Sequence, residues 1–370
     1  MEYFKIKKYY IIRQLGEGKF SKIYLSTNLK NFFALKMIDY DNGKKEIEHL
    51  DKINNTSNNN CIYYIEYFKF EKYMIIIYPL MFLSLDKLLE FYYPNGIPEE
   101  IVLKIYSDIS KALRYIHSKN IIHADIKPEN ICVQIELTIS NIHMLNIDIL
   151  NIINSINNYK GNNKIKYIKS IHQDNMIEDS DDSDEIYTDS DIDSEDEYNM
   201  IYQYPDNMKI NQIKNNYNYN DIFMKSTYYL CDFGNSFIQN NDNYYLDYNT
   251  RYYRAPEIIL RCKHTIKSDY WALGCSLIEL LHNKILFDPK RMNKSTTDFM
   301  HLSLILSCFG NDFNKDGRKY NYFFDNNERL KINYIIEPFK NKNLLEIKNN
   351  QLKIIIDKLL KINYYKRKLI

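Results

Sequence analysis

Residues 123–130 read His-Ala-Asp-Ile-Lys-Pro-Glu-Asn, and this octapeptide decides most of what the chain can be. It places a carboxylate (Asp125), an ammonium (Lys127) and an amide (Asn130) within one short turn. Moving a phosphoryl group from a nucleotide to a hydroxyl needs that set: a base for the hydroxyl, a cation for the moving charge and an oxygen ligand for Mg²⁺. The same string also fits a charged surface turn, so the rest of the chain has to decide.

A run of helical spacing leads into the octapeptide. Ile101, Ile105, Ile109, Ala112 and Ile116 form one apolar stripe over Ile101 to Ser118, the mark of an amphipathic helix. Upstream, from Tyr9 to Leu83, the pattern is strand-rich. Tyr10 to Leu25 reads as a hairpin around Gly16-Glu-Gly18, Phe32 to Ile38 as a third strand, and 62–70 and 73–78 as two more. Lys44 to Ile53 has helical spacing, with Ile47, Leu50 and Ile53 on one face. A β-rich first part followed by a larger helical part makes an α+β fold with two lobes. The 370 residues, 45% of them apolar, suffice for two buried cores.

Residues 134–225 fit neither lobe. Asn and Ile dominate first, with an apolar stripe compatible with a helix over 142–156. An acidic block then follows: 178–197 holds twelve acidic residues and no Lys or Arg. Such composition predicts disorder over 161–220. Ser183, Ser190 and Ser194 there have acidic flanks that would suit an acid-directed kinase, although a tolerated loop expansion explains the segment equally well. The expected division is 1–80 for the small lobe, 81–133 for the start of the large lobe, 134–225 for the spacer and 226–370 for the remainder.

The net charge of +1 leaves about +13 on the rest of the chain once that block is set aside. A basic body suits an anionic ligand such as a nucleotide, and unpatterned surface lysine suits it as well. The six scattered cysteines form no C-x-x-C pair, which argues against zinc and disulfides and for a reducing compartment. The charged N-terminus is no signal peptide, and the longest apolar run, Met74 to Leu83, is broken by Pro79 and too short to span a membrane. No nucleic-acid-reading motif is present. The expected location is the cytoplasm, extending to the nucleus. The Asn, Ile, Lys and Tyr usage points to AT-rich coding DNA, and for a viral chain these compartments would be the host cell's.

Further chemistry-bearing residues follow in a fixed order. Gly16-Glu-Gly-Lys-Phe-Ser21 lets backbone N–H groups approach a phosphate closely. Phe33-Ala-Leu-Lys36 ends a buried strand on a lysine, a costly place for a charge without an anionic partner. Glu46, or alternatively Glu48, could supply a carboxylate for it, and the helix phase favours Glu46. Beyond the spacer come Asp232-Phe-Gly234 and Ala255-Pro-Glu257, then Ser268-Asp269-Tyr-Trp.

Taken in this order, the motifs resemble those of eukaryotic-type serine/threonine protein kinases over about 1–133 and 226–370. Thr250-Arg-Tyr-Tyr-Arg254 narrows the resemblance to the cyclin-dependent, MAP and CDC-like group. Within that group the chain looks most like the SR-protein kinases, which share a small residue at Ala124, the spacer position and Asp232-Phe-Gly-Asn235. A stretch like their large-lobe insert follows at 301–310 and 318–324.

The resemblance implies a protein-kinase-like fold and ATP with Mg²⁺ as cofactors. Asp125 would be the base and Lys127 the cation on the moving phosphate. Lys36 with Glu46 would hold the α- and β-phosphates, and Asn130 with Asp232 the metal. Leu15, Gly16, Gly18, Ile23, Ala34, Tyr78, Leu80 and Met81 would surround the nucleotide. Asp247, Thr250, Arg251 and Arg254 fall in the loop that receives substrate, and Glu257, Asp269 and Arg367 hold the large lobe together.

The implied partner is a protein carrying Ser or Thr, with Arg/Ser-rich sequences as one class; neither nucleic acid nor membrane is a partner, and the chain is expected to act as a monomer. There are three departures from the pattern. Met300 and Ser307 stand where the family has docking acids. Ala124 replaces an arginine that grips a phosphorylated loop, so Asp247 is expected to supply a permanent charge to Arg251 or Arg254. The chain stops three residues after Arg367, shortening the last helix. The competing reading is a pseudokinase or scaffold that binds without catalysis.

Overall fold

The computed structural model describes residues 4–18, 21–53, 59–135, 166–167, 218–239, 249–290, 293–332 and 340–370. The expected helix over 142–156 and the acidic block with its serines lie outside them. Chain contacts divide the molecule into two compact units. One draws on Met1–Lys44 and Tyr64–Leu80, the other on Lys45–Tyr63, Met81–Glu136 and Asn218–Ile370.

The first unit is a mostly antiparallel sheet. Its strands are β1 (Phe4–Ile6), β2 (Tyr9–Gly18), β3 (Ser21–Thr27), β4 (Phe32–Asp39), β5 (Glu66–Phe70), β6 (Tyr73–Pro79) and β10 (Lys166–Tyr167), in the order β10-β1-β2-β3-β4-β6-β5. The period-two rule divides its residues between two faces. Tyr24, Phe33, Leu35, Met37, Ile75 and Ile77 pack on one side into the unit's core, with Tyr9, Ile11 and Phe68. Gly16, Ile23 and Lys36 pair in a row across β2, β3 and β4, and Leu25, Ala34 and Tyr78 in a second row. These two rows share the opposite face. Register shifts at Ile11/Arg13 and Gln14/Gly16 mark irregularities in β2 on the approach to the glycine turn.

Helix α1 (Tyr40–Ile53) starts against this sheet: a Cβ at Gly43 would lie 2.4 Å from Met74 Cβ, so only glycine fits there. From Lys45 onward the helix groups with the second unit, as do residues 59–63, whereas the sequence placed all of them in the small lobe. The cause is local. Ile62 N–H donates to Leu230 O (2.8 Å), Leu230 N–H to Asn60 O (2.8 Å) and Asn60 Nδ2 to Tyr228 O (3.0 Å). With that backbone engaged, the strand expected from residue 62 begins only at Glu66.

The second unit is helical, with two small sheets among the described residues. In chain order it has β7 (Leu83–Ser84), α2 (Leu85–Tyr92), α3 (Glu99–Ser118), β8 (Ile121–Ile122), β9 (Ile131–Gln134), α4 (Tyr219–Lys225), β11 (Thr227–Leu230) and β12 (Phe237–Ile238). Then follow α5 (Pro256–Ile259), α6 (Lys267–His282), α7 (Lys294–Phe309), α8 (Tyr320–Phe323) and α9 (Asn350–Leu359). The strands pair as β11-β9-β7 and β12-β8. Helix α3 buries Ile101, Ile105, Ile109, Ala112 and Ile116, the stripe read from the sequence.

Helix α4 falls within the stretch assigned to the spacer, and its first two residues within the stretch expected to be disordered. It is instead packed into this unit: Phe223 is fully buried, its ring meets Tyr92 and Tyr93, and Tyr93 Oη donates to Asn220 Oδ1 (2.8 Å). An aromatic every third or fourth residue, at 219 and 223, gives this short helix a face to bury. Among the described residues no helix is long and apolar enough to cross a membrane, none of the cysteines is in a disulfide, and no cluster of three metal-ligating side chains occurs.

Candidate active site

The His123–Asn130 loop is held from below by one carboxylate. Asp269, fully buried near the start of α6, accepts the backbone N–H of His123 (2.9 Å) and of Ala124 (3.0 Å), and its Oδ2 lies 2.8 Å from His117 Nε2. These contacts hold Ala124 at φ 65°, a left-handed conformation unusual for a residue with a side chain. Its methyl packs with Ile122, Phe237 and Ile266, so an apolar contact stands where the family pattern has a cation. His123 is tied to the segment that follows β11: its Nε2 lies 3.0 Å from Cys231 O and its ring meets Phe233 edge-on at 5.0 Å.

On this base sits Asp125. Its Oδ2 receives Asn130 Nδ2 at 3.0 Å, Lys127 Nζ at 3.3 Å and Asn235 Nδ2 at 3.3 Å. Its Oδ1 receives Thr250 Oγ1 at 2.9 Å and, at 3.4 Å, the Thr250 N–H. Lys127 Nζ also donates to Thr250 Oγ1 (2.9 Å). A base and a cation thus converge on a single hydroxyl, which is the geometry that general-base transfer from an alcohol requires.

Asn130 donates from Nδ2 to both the backbone oxygen (2.7 Å) and the side chain of Asp125. Its Oδ1 is therefore left as an acceptor pointing elsewhere. Asp232 stands at φ 60° and receives Gly234 N–H at 3.3 Å. Cys231 N–H donates to Asn130 O (2.8 Å), which ties the two segments together. An amide oxygen and one carboxylate are hard donors of the kind Mg²⁺ takes alongside phosphate oxygens, so these residues fit the ion.

Glu46 is buried and Glu48 exposed, as the phase of Ile47, Leu50 and Ile53 implied. Glu46 Oε2 would lie 3.7 Å from a Cβ at Gly234. In the other unit Lys36 is 5% exposed. Gly16, Gly18, Ile23, Ala34, Tyr78 and Leu80 also belong to that unit, as does half-buried Leu15, while Met81 belongs to the second.

Arg251 pairs with Asp298 on α7, an ion pair nearly closed to solvent, and Arg254 Nη2 donates to Asn249 O (3.0 Å). Asp247, expected to neutralise one of them, lies outside the described residues. The partner of Arg251 is 47 residues away in sequence, where no local spacing rule reaches.

Tyr253 Oη donates to Glu279 Oε2 (2.6 Å). Burial, helped by the nearby charges of Glu129 and Asp86 and opposed by the tyrosine bond, pushes the Glu279 carboxyl up from 4.5 to about 7. The folded state therefore binds this proton more tightly than the unfolded chain does. Its stabilising effect is complete below about pH 4.5 and is lost as pH rises through 7. Thermal melts across this range should show wild type losing stability with rising pH relative to Glu279→Gln. Parallel curves would contradict the assignment.

Glu257 and Arg367 form a fork-to-fork pair with both side chains fully buried. Arg367 also stacks on Trp271 (4.9 Å) and donates to the carbonyls of Lys267 (3.1 Å) and Ile362 (3.0 Å). The sequence reading missed Asn235 as a contact of Asp125 and His49, whose Nδ1 lies 2.9 Å from Ser236 Oγ. A polar residue directly after Asp232-Phe-Gly234 was the available signal for Asn235.

The family profile for the protein kinase domain matches residues 9–147 and 205–369. A protein of Acanthamoeba polyphaga mimivirus assigned as serine/threonine-protein kinase L205 is 26% identical, over 93% of this chain and 80% of its own length. The serine/threonine-protein kinase SRPK of Physarum polycephalum is 24% identical over 87% of this chain and 72% of its own. The dual specificity tyrosine-phosphorylation-regulated kinase 3 of Rattus norvegicus is 23% identical over 76% of this chain, which spans about a third of that longer protein. Among solved structures, a crystal structure of the kinase domain of PF14_0431 superposes with a TM-score of 0.62 at 20% identity, covering 99% of this chain and 95% of that one. This likeness shows a shared fold.

Proposed function

The chain belongs to the protein kinase family, and on that footing we propose that it transfers the γ-phosphoryl group of ATP to serine or threonine hydroxyls of proteins. The observation that carries the reading is the convergence of Asp125 Oδ1 and Lys127 Nζ on the Thr250 hydroxyl, each at 2.9 Å. A substrate hydroxyl in that position meets a base and a cation together.

In the proposed reaction Asp125 orients the hydroxyl and accepts its proton as the new O–P bond forms. The bond between the γ-phosphorus and its bridging oxygen breaks, and ADP leaves with that electron pair. Lys127 stabilises charge on the transferring group, and Lys36, with Glu46, positions the α- and β-phosphates. Asn130 and Asp232 would hold Mg²⁺, which supplies neutralisation of phosphate charge. Serine- and threonine-directed relatives support the acceptor class. Basic, serine-rich proteins are the first substrates to try, in view of the SRPK relative, although Met300 and Ser307 replace acids that its family uses for docking.

A peptide array phosphorylated with Mg-ATP tests the reading: signal on Ser and Thr acceptors supports it, and signal confined to tyrosine, or none at all, overturns it. A pseudokinase would bind nucleotide and leave the array blank. The proposed setting is the cytoplasm or nucleus, with the chain acting as a monomer.

Activity is proposed to need no phosphate on the substrate-side loop, because Asp298 supplies the anion that Arg251 requires. Phosphatase-treated wild type should keep its rate within about twofold, whereas Asp298→Ala, which strands a nearly buried guanidinium, should lower kcat about tenfold. Loss of activity on phosphatase treatment would sink this point.

A further inference from the structure

Asn235 directly follows the Asp232-Phe-Gly234 tripeptide, and the mechanism above gives it no task. The fold nonetheless delivers it to the base. Strand β12 pairs antiparallel with β8 through Phe237↔Ile122 and Ile238↔Ile121. Continuing that register by two residues sets position 235 opposite Ala124, beside Asp125. The turn before β12 is pinned: Ser236 N–H donates to Phe233 O (3.2 Å), Ser236 Oγ to the same oxygen (2.6 Å), and His49 on α1 holds Ser236 Oγ at 2.9 Å. From this turn the Asn235 amide reaches Asp125 Oδ2 at 3.3 Å. An ionised carboxylate only accepts, so the contact is a donation from Nδ2.

The donors around Asp125 are unevenly divided. Among the described residues Asn130, Lys127 and Asn235 address Oδ2, while Thr250 addresses Oδ1 through its hydroxyl and its N–H. Three donors on one oxygen fix the plane of the carboxylate, and Oδ1, which receives the Thr250 hydroxyl in this structure, is the oxygen that meets the reacting hydroxyl in the function proposed above. Asn130 and Lys127 come from the same short loop as Asp125 and have other tasks in the proposed chemistry. Asn235 comes from the segment carrying Asp232.

We propose that Asn235 is a positioning residue for the phosphoryl-transfer reaction: it holds the Asp125 carboxylate in register with the Asp232-Phe-Gly234 segment, so that base and metal-binding carboxylate are aligned together. This inference rests on the function proposed above. Asn235 is exposed and makes one contact with the base, so its loss should affect the reaction step and spare folding.

The test compares wild type, Asn235→Asp and Asn235→Gln in steady-state phosphorylation of a serine peptide with Mg-ATP, alongside thermal melts. Asn235→Asp keeps the shape, removes the donor and adds a like charge. It is expected to lower kcat about tenfold with KM for ATP and for peptide within about twofold of wild type. Asn235→Gln keeps the amide on a longer stem and is expected to retain kcat within about threefold, with all three melting alike. Equal kcat in wild type and Asn235→Asp, equal losses in Asn235→Asp and Asn235→Gln, or a loss carried by KM or by a lowered melting temperature overturns the assignment. An inactive wild type overturns the function itself, which keeps the two failures distinct.

Discussion

Asp125→Asn is expected to lower kcat about a thousandfold, with nucleotide binding preserved. The amide is nearly isosteric with the carboxylate, and with its single oxygen in the place of Oδ2 it still accepts from Lys127 (3.3 Å), Asn130 and Asn235, while its NH2 faces the Thr250 hydroxyl, which can accept. What it cannot do is take the proton of the acceptor hydroxyl, and general-base assistance contributes about 10²–10⁴-fold. The check is a steady-state rate on a serine peptide together with a nucleotide-binding titration on the same preparation. A rate within tenfold of wild type would mean that Asp125 is not the base. A collapse of nucleotide binding would mean instead that the substitution had disturbed the loop.

The largest expected effect on stability is at Arg367. Its guanidinium is fully closed to solvent and forks onto Glu257, whose carboxylate is equally buried. Removing one member of such a pair leaves an uncompensated charge in the interior, at a cost of about 3–5 kcal/mol. Arg367→Ala should therefore lower the melting temperature by about 10 °C. Arg367→Lys should recover little, because an ammonium cannot make two parallel bonds to a carboxylate. Glu257→Gln strands the partner charge and should fall in the same range. Differential scanning calorimetry of these variants decides the matter, and a melting temperature unchanged in Arg367→Ala would contradict the buried pair.

The legible parts of the sequence were those whose chemistry sits inside short rigid segments. Asp125, Lys127 and Asn130 lie within six residues of one another, so chain geometry alone keeps them together. Glu46 could be told from Glu48 because Ile47, Leu50 and Ile53 fix the helix phase, and the structure buries the first and exposes the second. Contacts that depend on tertiary docking were not legible. Arg251 finds Asp298 only because α7 packs beside the loop, and Asn235 reaches Asp125 only through the β8–β12 pairing. Helix α4 was hidden by the low-complexity stretch before it. Its seven residues are too few to announce a helix by periodicity, and the aromatic contacts of Phe223 hold it in place. Ile62 and Tyr63 read as the start of a strand because both side chains are apolar or aromatic, yet the Ile62 N–H is bonded to Leu230 O.

The most direct test of the account is a transfer experiment with ATP labelled at the γ-phosphate. Wild type and Asp125→Ala are mixed with Mg²⁺ and a serine-containing peptide library under identical conditions. The account predicts label on serine or threonine with wild type and none above background with Asp125→Ala. Equal labelling by the two proteins, or nucleotide binding with no transfer by either, would contradict it.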